Sequence, residues 1–156
     1  MLRYAPQILR IRPRGWSVPA TGRAGGSLWN KPIAPRGEAA ELRLLSGQRS
    51  LPWNYPVIDD FADNIATSIK SMDLTSPSAT SRLRREVLNS ARKLNDFRPR
   101  HWGKAKLAGE AVRGRQLIWA FEAGGSDKVQ AKLLKDIAAE VGRRYPDVQL
   151  RYAWLQ

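Results

Sequence analysis

A serine, a lysine and an aspartate are spaced so that their side chains could meet on one surface. Ser68 and Lys70 are two positions apart, so both lie on the same face if residues 65–71 form a strand. Asp59 would lie on the neighbouring strand of a β-hairpin. An aspartate and a lysine directed at one face of a mostly apolar hairpin need an explanation, because buried charges are costly unless they are paired or bind a metal. Glu41, just upstream, could add a second carboxylate.

These residue types suit hydrolysis of a phosphodiester at a divalent metal ion. Asp59 and Glu41 offer the hard oxygen ligands that such a cation needs, and the Ser68 hydroxyl could contribute directly or through water. The metal would lower the pKa of its bound water. Lys70 would orient the attacking hydroxide and stabilise the charge that develops at phosphorus. No histidine base is then required, and the single histidine, His101, excludes a metal site built from several histidines.

The elements that would position these residues are predicted from hydrophobic periodicity and from turn and cap signals. In the first strand, Tyr55, Val57 and Asp59 would share a face. The sequence predicts, in order, a helix at 37–47 with Gly47 as its stop, strands at 55–61 and 65–71, a helix from Thr75-Ser76-Pro77 to about residue 95, a strand at 115–121, a helix at 127–145 and a strand at 148–155. This order predicts an α/β (α+β) fold with a small mixed central sheet flanked by helices.

Composition restricts the classes of partner. The chain has 156 residues, a formal net charge of +13 and no cysteine. The charge points to nucleic acid, an anionic membrane surface or an acidic protein, and the lack of cysteine excludes disulfides and thiolate metal sites. Residues 1–28 are basic and rich in Gly and Pro, which predicts an arm or linker before a domain at 29–156. No apolar run approaches the length of a membrane span.

Basic residues are predicted to contact a nucleic-acid partner at several places. The outer face of the helix that follows residue 75 carries several of them, and this face is equally well explained as a solvated surface. Trp102 lies in a basic loop at 98–106, where its ring could stack on a base. The predicted nucleic-acid-binding residues are Arg36, Arg82, Arg85, Arg92, Lys93, Arg100, Trp102 and Lys104.

Three strings of the sequence resemble a known family. GEAAE, NYPVIDDF and IATSIKSMDL are similar to segments of the nuclease toxin domains at the C-terminal ends of bacterial contact-dependent growth inhibition proteins and related polymorphic toxins. Those domains have a restriction-endonuclease-like fold and a variant PD-(D/E)xK site with the order Glu, Asp, Ser-x-Lys. The resemblance implies Glu41, Asp59, Ser68 and Lys70 as catalytic residues, with Glu41 and Asp59 on the metal. Glu38 and Asp60 are the alternatives for the two acids.

The resemblance also implies a biological setting. It implies cleavage of DNA, or of tRNA by the same site. For the divalent metal ion, zinc and magnesium are both open. It implies delivery into a neighbouring bacterial cell as part of a larger secreted protein, with action in the target cytoplasm. It implies a cognate immunity protein, which we expect to be acidic because the toxin is basic, and we expect the domain alone to be a monomer without membrane contact. A different hypothesis from the residues alone is a non-catalytic nucleic-acid binder, whose whole function would be its basic loops.

Overall fold

The computed structural model describes residues 33–45, 50–75, 78–122 and 128–155. The predicted arm at 1–28 and the predicted helix stop at Gly47 lie outside these residues. The elements are α1 (Ile33–Leu44), β1 (Asp60–Ala62), β2 (Ile65–Ser71), α2 (Ala79–Asp96), β3 (His101–Trp102), β4 (Ala105–Lys106), β5 (Gly114–Glu122), α3 (Lys128–Arg144) and β6 (Val148–Leu155). A mixed sheet has the order β1-β2-β5-β6, with β1 antiparallel to β2 and the other neighbours parallel. The predicted α/β fold with a mixed central sheet is confirmed.

Different helices cover the two faces of this sheet. Ala66 of β2 belongs to the larger buried cluster, which contains the inner residues of α2 and α3. Ile69 of β2 packs on the opposite face with Ala40 and Leu44 of α1. Because successive strand residues alternate between faces, Ser68 and Lys70 lie on the α2 side and Ile69 on the α1 side.

The apolar periodicity predicted for α2 is confirmed, but its start is not where the sequence indicated. Ala79, Leu83, Val87, Ala91 and Leu94 are buried along one face of the helix. The N-cap residue is Ser78, and its side chain makes no capping hydrogen bond. The Thr75 hydroxyl instead donates to Asp73 Oδ1 at 2.6 Å and closes a local turn. Residues 76 and 77, where the predicted initiating proline lies, are outside the described part of the chain.

The first strand is much shorter than predicted, because a turn interrupts the alternation before Asp59. Val57 has φ +71°, and the Ile58 amide donates to the Pro56 carbonyl at 2.9 Å. A bond between residues two apart around a positive φ is a strained γ-turn, which is rare for a β-branched residue. The strand therefore begins only at Asp60, and the prediction that Tyr55, Val57 and Asp59 share a strand face is wrong.

A short hairpin and the character of the helices complete the fold. The basic segment predicted as a loop at 98–106 contains a short hairpin, in which β3 pairs with β4 and Gly103 turns the chain at φ +57°. No helix among the described residues is long and apolar enough to cross a membrane.

Candidate active site and basic groove

The carboxylate of Asp59 lies against the open edge of β2. The Asp59 amide donates to the Thr67 carbonyl at 2.8 Å, which is the last backbone bond before the chain turns away at Val57. The next donor along that edge, the Ile69 amide, would then have no backbone acceptor. Asp59 Oδ2 accepts its hydrogen bond at 2.6 Å. The side chain of Asp59 therefore replaces a strand carbonyl and lies between the positions of Ser68 and Lys70.

Ser68 and Lys70 differ in their exposure to solvent. Ser68 is 2% exposed, whereas Lys70 is exposed. Lys70 is opposite Trp119 of β5, whose indole Nε1–H donates to Ser90 Oγ of α2 at 3.2 Å. The prediction that Lys70 points inward and needs a buried partner is wrong. The ammonium group is instead accessible to a substrate from solvent.

Glu41 is carried by a different layer of the fold. It is half-buried on α1, one residue after Ala40, which is fully buried against the sheet. Helix α1 covers the Ile69 face of β2, whereas Ser68 and Lys70 belong to the other face. The structure thus brings Asp59 to the segment 68–70 and places Glu41 on the helix across the sheet. Glu38 is on the same helix, and Asp60 accepts a hydrogen bond from the Ser50 hydroxyl.

Arg36 is associated with the end of β2 rather than with the surface. It is 9% exposed, and its charge acts on Asp73, which follows β2. The hydroxyl of Thr75 holds the pKa of Asp73 below its usual value, and the positive charge of Arg36 lowers it further. Arg36, predicted to contact nucleic acid, therefore presents little surface to a partner.

The remaining predicted nucleic-acid-binding residues separate into two groups by their ion pairs. In the first half of α2, Arg82 pairs with Glu86 at 3.3 Å and the neighbouring Arg84 pairs with Glu140 of α3. Within the described residues, the predicted residues that form no salt bridge with a carboxylate are Arg85, Arg92, Lys93, Arg100 and Lys104, all of which are exposed. The positive surface that is free of carboxylate partners thus includes the end of α2 and the segment after it.

This positive surface contains a groove that the sequence interpretation did not identify. The groove has a volume of ≈ 460 Å³ and is lined by Val57, Arg92, Lys93, Asp96, Phe97, Arg98, Pro99 and Arg100. Arg98, Phe97 and Val57 were not among the predicted binding residues. Arg98 belongs to the basic run Arg98-Pro99-Arg100, so local charge could have indicated it. Val57 could not be identified, because its place in the groove depends on the γ-turn.

Metal ligands cannot be recognised as a dense acidic cluster. Within the part of the chain that the structure describes, no three Asp, Glu, His or Cys side chains are grouped so that they could hold a metal ion. The oxygen donors near β2 are the Asp59 carboxylate and the Ser68 hydroxyl, with Glu41 on the adjoining helix. Sites for Mg²⁺ commonly use one or two protein carboxylates and complete the coordination with water and substrate phosphate. The donor chemistry of these residues fits such a site better than a closed four-ligand zinc cage.

Comparison with known proteins agrees with this fold. The chain is similar to a solved CdiA-CT/CdiI toxin and immunity complex from Yersinia pseudotuberculosis, with a TM-score of 0.60 and 14% identity over 75% of this chain and 98% of that chain. Among curated proteins no significant match is found. Residues 36–152 match the family model of the CDI toxin restriction endonuclease-like domain, and the chain therefore belongs to this family of contact-dependent growth inhibition toxin domains.

Proposed function

We propose that this domain is a metal-dependent endonuclease toxin that hydrolyses phosphodiester bonds of DNA. Its centre is the edge of β2 at Asp59, Ser68 and Lys70. We propose Glu41 as a second carboxylate that reaches this edge from α1, which packs on the other face of the same strand. The observation that supports this most strongly is the hydrogen bond from the Ile69 amide to Asp59 at 2.6 Å, which holds an acid between Ser68 and an exposed lysine. An open strand edge next to cations without carboxylate partners suits a polyanionic substrate.

Each side chain has a role that follows from its position. Asp59 supplies a fixed carboxylate oxygen, because one oxygen is held by the Ile69 amide. Lys70, exposed at the same edge, binds a non-bridging phosphate oxygen and stabilises the negative charge that grows there. Ser68 contributes a hydroxyl to the oxygen donors near β2, and burial of its side chain fixes the position of that hydroxyl. A divalent ion bound at these oxygens would supply Lewis acidity and a deprotonated water at neutral pH.

The biological setting is part of the same proposal. We propose that the domain is carried by a larger secreted protein, acts in the cytoplasm of a target bacterium and is blocked by an acidic immunity protein. The similar Yersinia pseudotuberculosis protein is in a complex of toxin and immunity protein. The net charge of +13 favours an acidic inhibitor, because opposite potentials accelerate and strengthen association.

The test is a cleavage assay with purified protein. Plasmid DNA and total bacterial RNA are incubated in parallel with Mg²⁺, Mn²⁺ or Zn²⁺, and with EDTA. We expect nicking and linearisation of the plasmid with a divalent ion and none with EDTA. Lys70→Ala should reduce the rate by about 10²–10³-fold, the usual cost of removing one preorganised electrostatic group. The matched control is Lys135→Ala, which removes an exposed lysine of α3.

The possible outcomes separate the hypotheses. If only RNA is cut, the substrate is RNA instead of DNA, and the proposed catalytic centre is retained. Equal cutting by the wild type, Lys70→Ala and Lys135→Ala would disprove the proposed centre. Salt-sensitive binding of DNA and RNA without any cutting would support the non-catalytic nucleic-acid binder instead.

A further inference from the structure

The groove at the C-terminal end of α2 combines apolar walls with an excess of positive charge. Val57, Phe97 and Pro99 supply the apolar part of the lining, and Arg92, Lys93, Arg98 and Arg100 supply the cations. Asp96 is the single carboxylate in the lining. Four positive groups around one negative group attract an anion, and the apolar walls favour an anion that also carries an apolar part.

The backbone of α2 helps to hold this positive charge together. The helix ends at Asp96, where carbonyl groups without helical partners form the negative end of the helix dipole. Arg98 NH1 donates to the Phe97 carbonyl at 2.8 Å, and Arg115 NH1 donates to the carbonyls of Leu94 at 2.8 Å and Phe97 at 2.9 Å. Burial lowers the pKa of Arg115, and the nearby charge of Arg98 lowers it further. Two like charges are thus kept close by shared backbone acceptors.

An exposed aromatic ring lies beside Arg100, one of the cations of the groove. The Arg100 guanidinium lies 5.6 Å from the centre of the Trp102 ring, and Trp102 is 39% exposed. The main chain of Arg100 is fixed by Tyr55, whose hydroxyl donates to the Arg100 carbonyl at 2.7 Å and accepts from its amide at 3.0 Å. The groove therefore has a positioned cation, Arg100, with a partly exposed aromatic ring beside it.

We propose that this groove binds one unpaired nucleotide of the substrate strand. The base packs against Val57 and Pro99, and the phosphate is held by the cations of Arg92, Arg98 and Arg100. Cations interleaved with aromatic and apolar surface are typical of single-strand binding, in which bases leave the stack and rest on side chains. A fully paired duplex keeps its bases stacked and could use the cations but not the apolar walls.

The γ-turn connects this groove to the candidate centre. Val57 and Asp59 are two positions apart in the sequence, so their Cα atoms are at most about 7 Å apart. A nucleotide beside Val57 therefore places the neighbouring part of its strand beside Asp59. The inference rests on the proposed nuclease function and adds to it the substrate class: a single-stranded or locally unpaired nucleic acid.

Binding is tested without cleavage, in EDTA, by fluorescence anisotropy. The probes are labelled (dT)₈ and a fully paired DNA hairpin of the same number of phosphates. We expect (dT)₈ to bind at least about fivefold more tightly, since stacking one base contributes about 1–3 kcal/mol. Arg92→Gln with Lys93→Gln should reduce the slope of log affinity against log salt by up to about 0.7, because the groove holds one phosphate and each phosphate contact to a single strand contributes about 0.7. Lys132→Gln with Lys135→Gln removes the same charge from α3 and should leave this slope unchanged.

The readouts separate this inference from the proposed function. Hairpin binding as tight as (dT)₈ binding would overturn the unpaired nucleotide, and equal salt slopes for the two double variants would overturn the groove. The protein could also bind (dT)₈ preferentially through Arg92 and Lys93 and yet cut nothing with any metal. That result would support the nucleotide-binding groove and contradict the proposed nuclease function. Far-ultraviolet circular dichroism of every variant establishes that a change in binding is not a loss of fold.

Discussion

Replacement of Asp59 separates its structural role from its proposed catalytic role. The Ile69 amide that donates to Asp59 Oδ2 belongs to a residue that is 4% exposed, so water reaches it poorly. In Asp59→Ala this donor loses its acceptor. An unsatisfied buried donor costs about 1–3 kcal/mol of unfolding free energy. Asp59→Asn keeps an amide oxygen at the same distance, and a neutral acceptor is about half as strong as a charged one.

These magnitudes give a graded expectation for stability. For a chain of this size, each kcal/mol shifts the Tm by about 2–4 °C. Asp59→Ala should therefore lower the Tm by about 2–12 °C, and Asp59→Asn should lower it by roughly half as much. Plasmid cutting should be lost in both variants, because both remove the carboxylate charge. The combination of nearly native stability with lost cutting in Asp59→Asn is the signature of a catalytic carboxylate.

Thermal unfolding followed by circular dichroism and the plasmid assay are performed on the same preparations. The matched control is Asp60→Asn, because Asp60 is the adjacent acid and bonds to the Ser50 hydroxyl instead of β2. It should retain cutting. Equal Tm values for Asp59→Ala and the wild type would refute the structural reasoning. Cutting by Asp59→Asn, or loss of cutting in Asp60→Asn alone, would refute the assignment of the catalytic acid.

Three further perturbations test other parts of the structure. Val57→Gly should be more stable than Val57→Ala by about 1 kcal/mol in urea unfolding, because φ +71° strains any residue with a Cβ. This is the reverse of the usual order of glycine and alanine. An Ala variant of equal or greater stability would contradict the γ-turn. Ser90→Ala should cost about 1–3 kcal/mol by leaving the Trp119 indole N–H unsatisfied. In a double-mutant cycle, Ser90→Ala should cost less in a Trp119→Phe background, which has no indole N–H to leave unsatisfied. The Arg84 hydrogen bond lowers the pKa of Glu140, so the stability that this pair contributes is present above the usual value of 4.5 and is lost as pH falls through the lowered pKa. The Tm difference between the wild type and Arg84→Gln should therefore shrink in acid, and a difference that is constant from pH 7 to pH 2 would contradict the pair.

The parts of the fold that the sequence predicts well are those in which local periodicity and tertiary packing agree. The inner face of α2, from Ala79 to Leu94, is buried as its helical spacing indicates. The predicted strand at 115–121 corresponds to β5, which is flanked by parallel neighbours on both sides and is apolar on both faces. The order of elements follows from these long segments, and it is sufficient to define the fold class.

Alternation predicts the wrong structure where backbone conformation overrides it. Tyr55, Val57 and Asp59 alternate as a strand would, but the left-handed conformation of Val57 breaks the strand. Alternation also places Lys70 on one face of a mostly apolar hairpin, which predicts an inward lysine, yet the strand edge beyond Asp60 is open and the lysine is exposed. The groove escaped prediction for a related reason: its walls come from residues about 40 positions apart in the sequence, Val57 and Phe97.

The short β1 strand gives the candidate site its geometry. In β2, Thr67 and Ile69 direct backbone groups toward the β1 side. A first strand over 55–61 would have paired with this edge and enclosed it in backbone. After the hydrogen bond of the Asp59 amide, the γ-turn directs the chain away from β2. The Asp59 side chain then satisfies the Ile69 amide, which this leaves without a strand carbonyl. An open strand edge is a hazard for aggregation, and a charged side chain on it is a common protection. Asp59 can therefore protect the edge and supply a carboxylate beside Lys70 through the same hydrogen bond, and restoring the strand by removing the turn should cost cutting activity even where it raises stability.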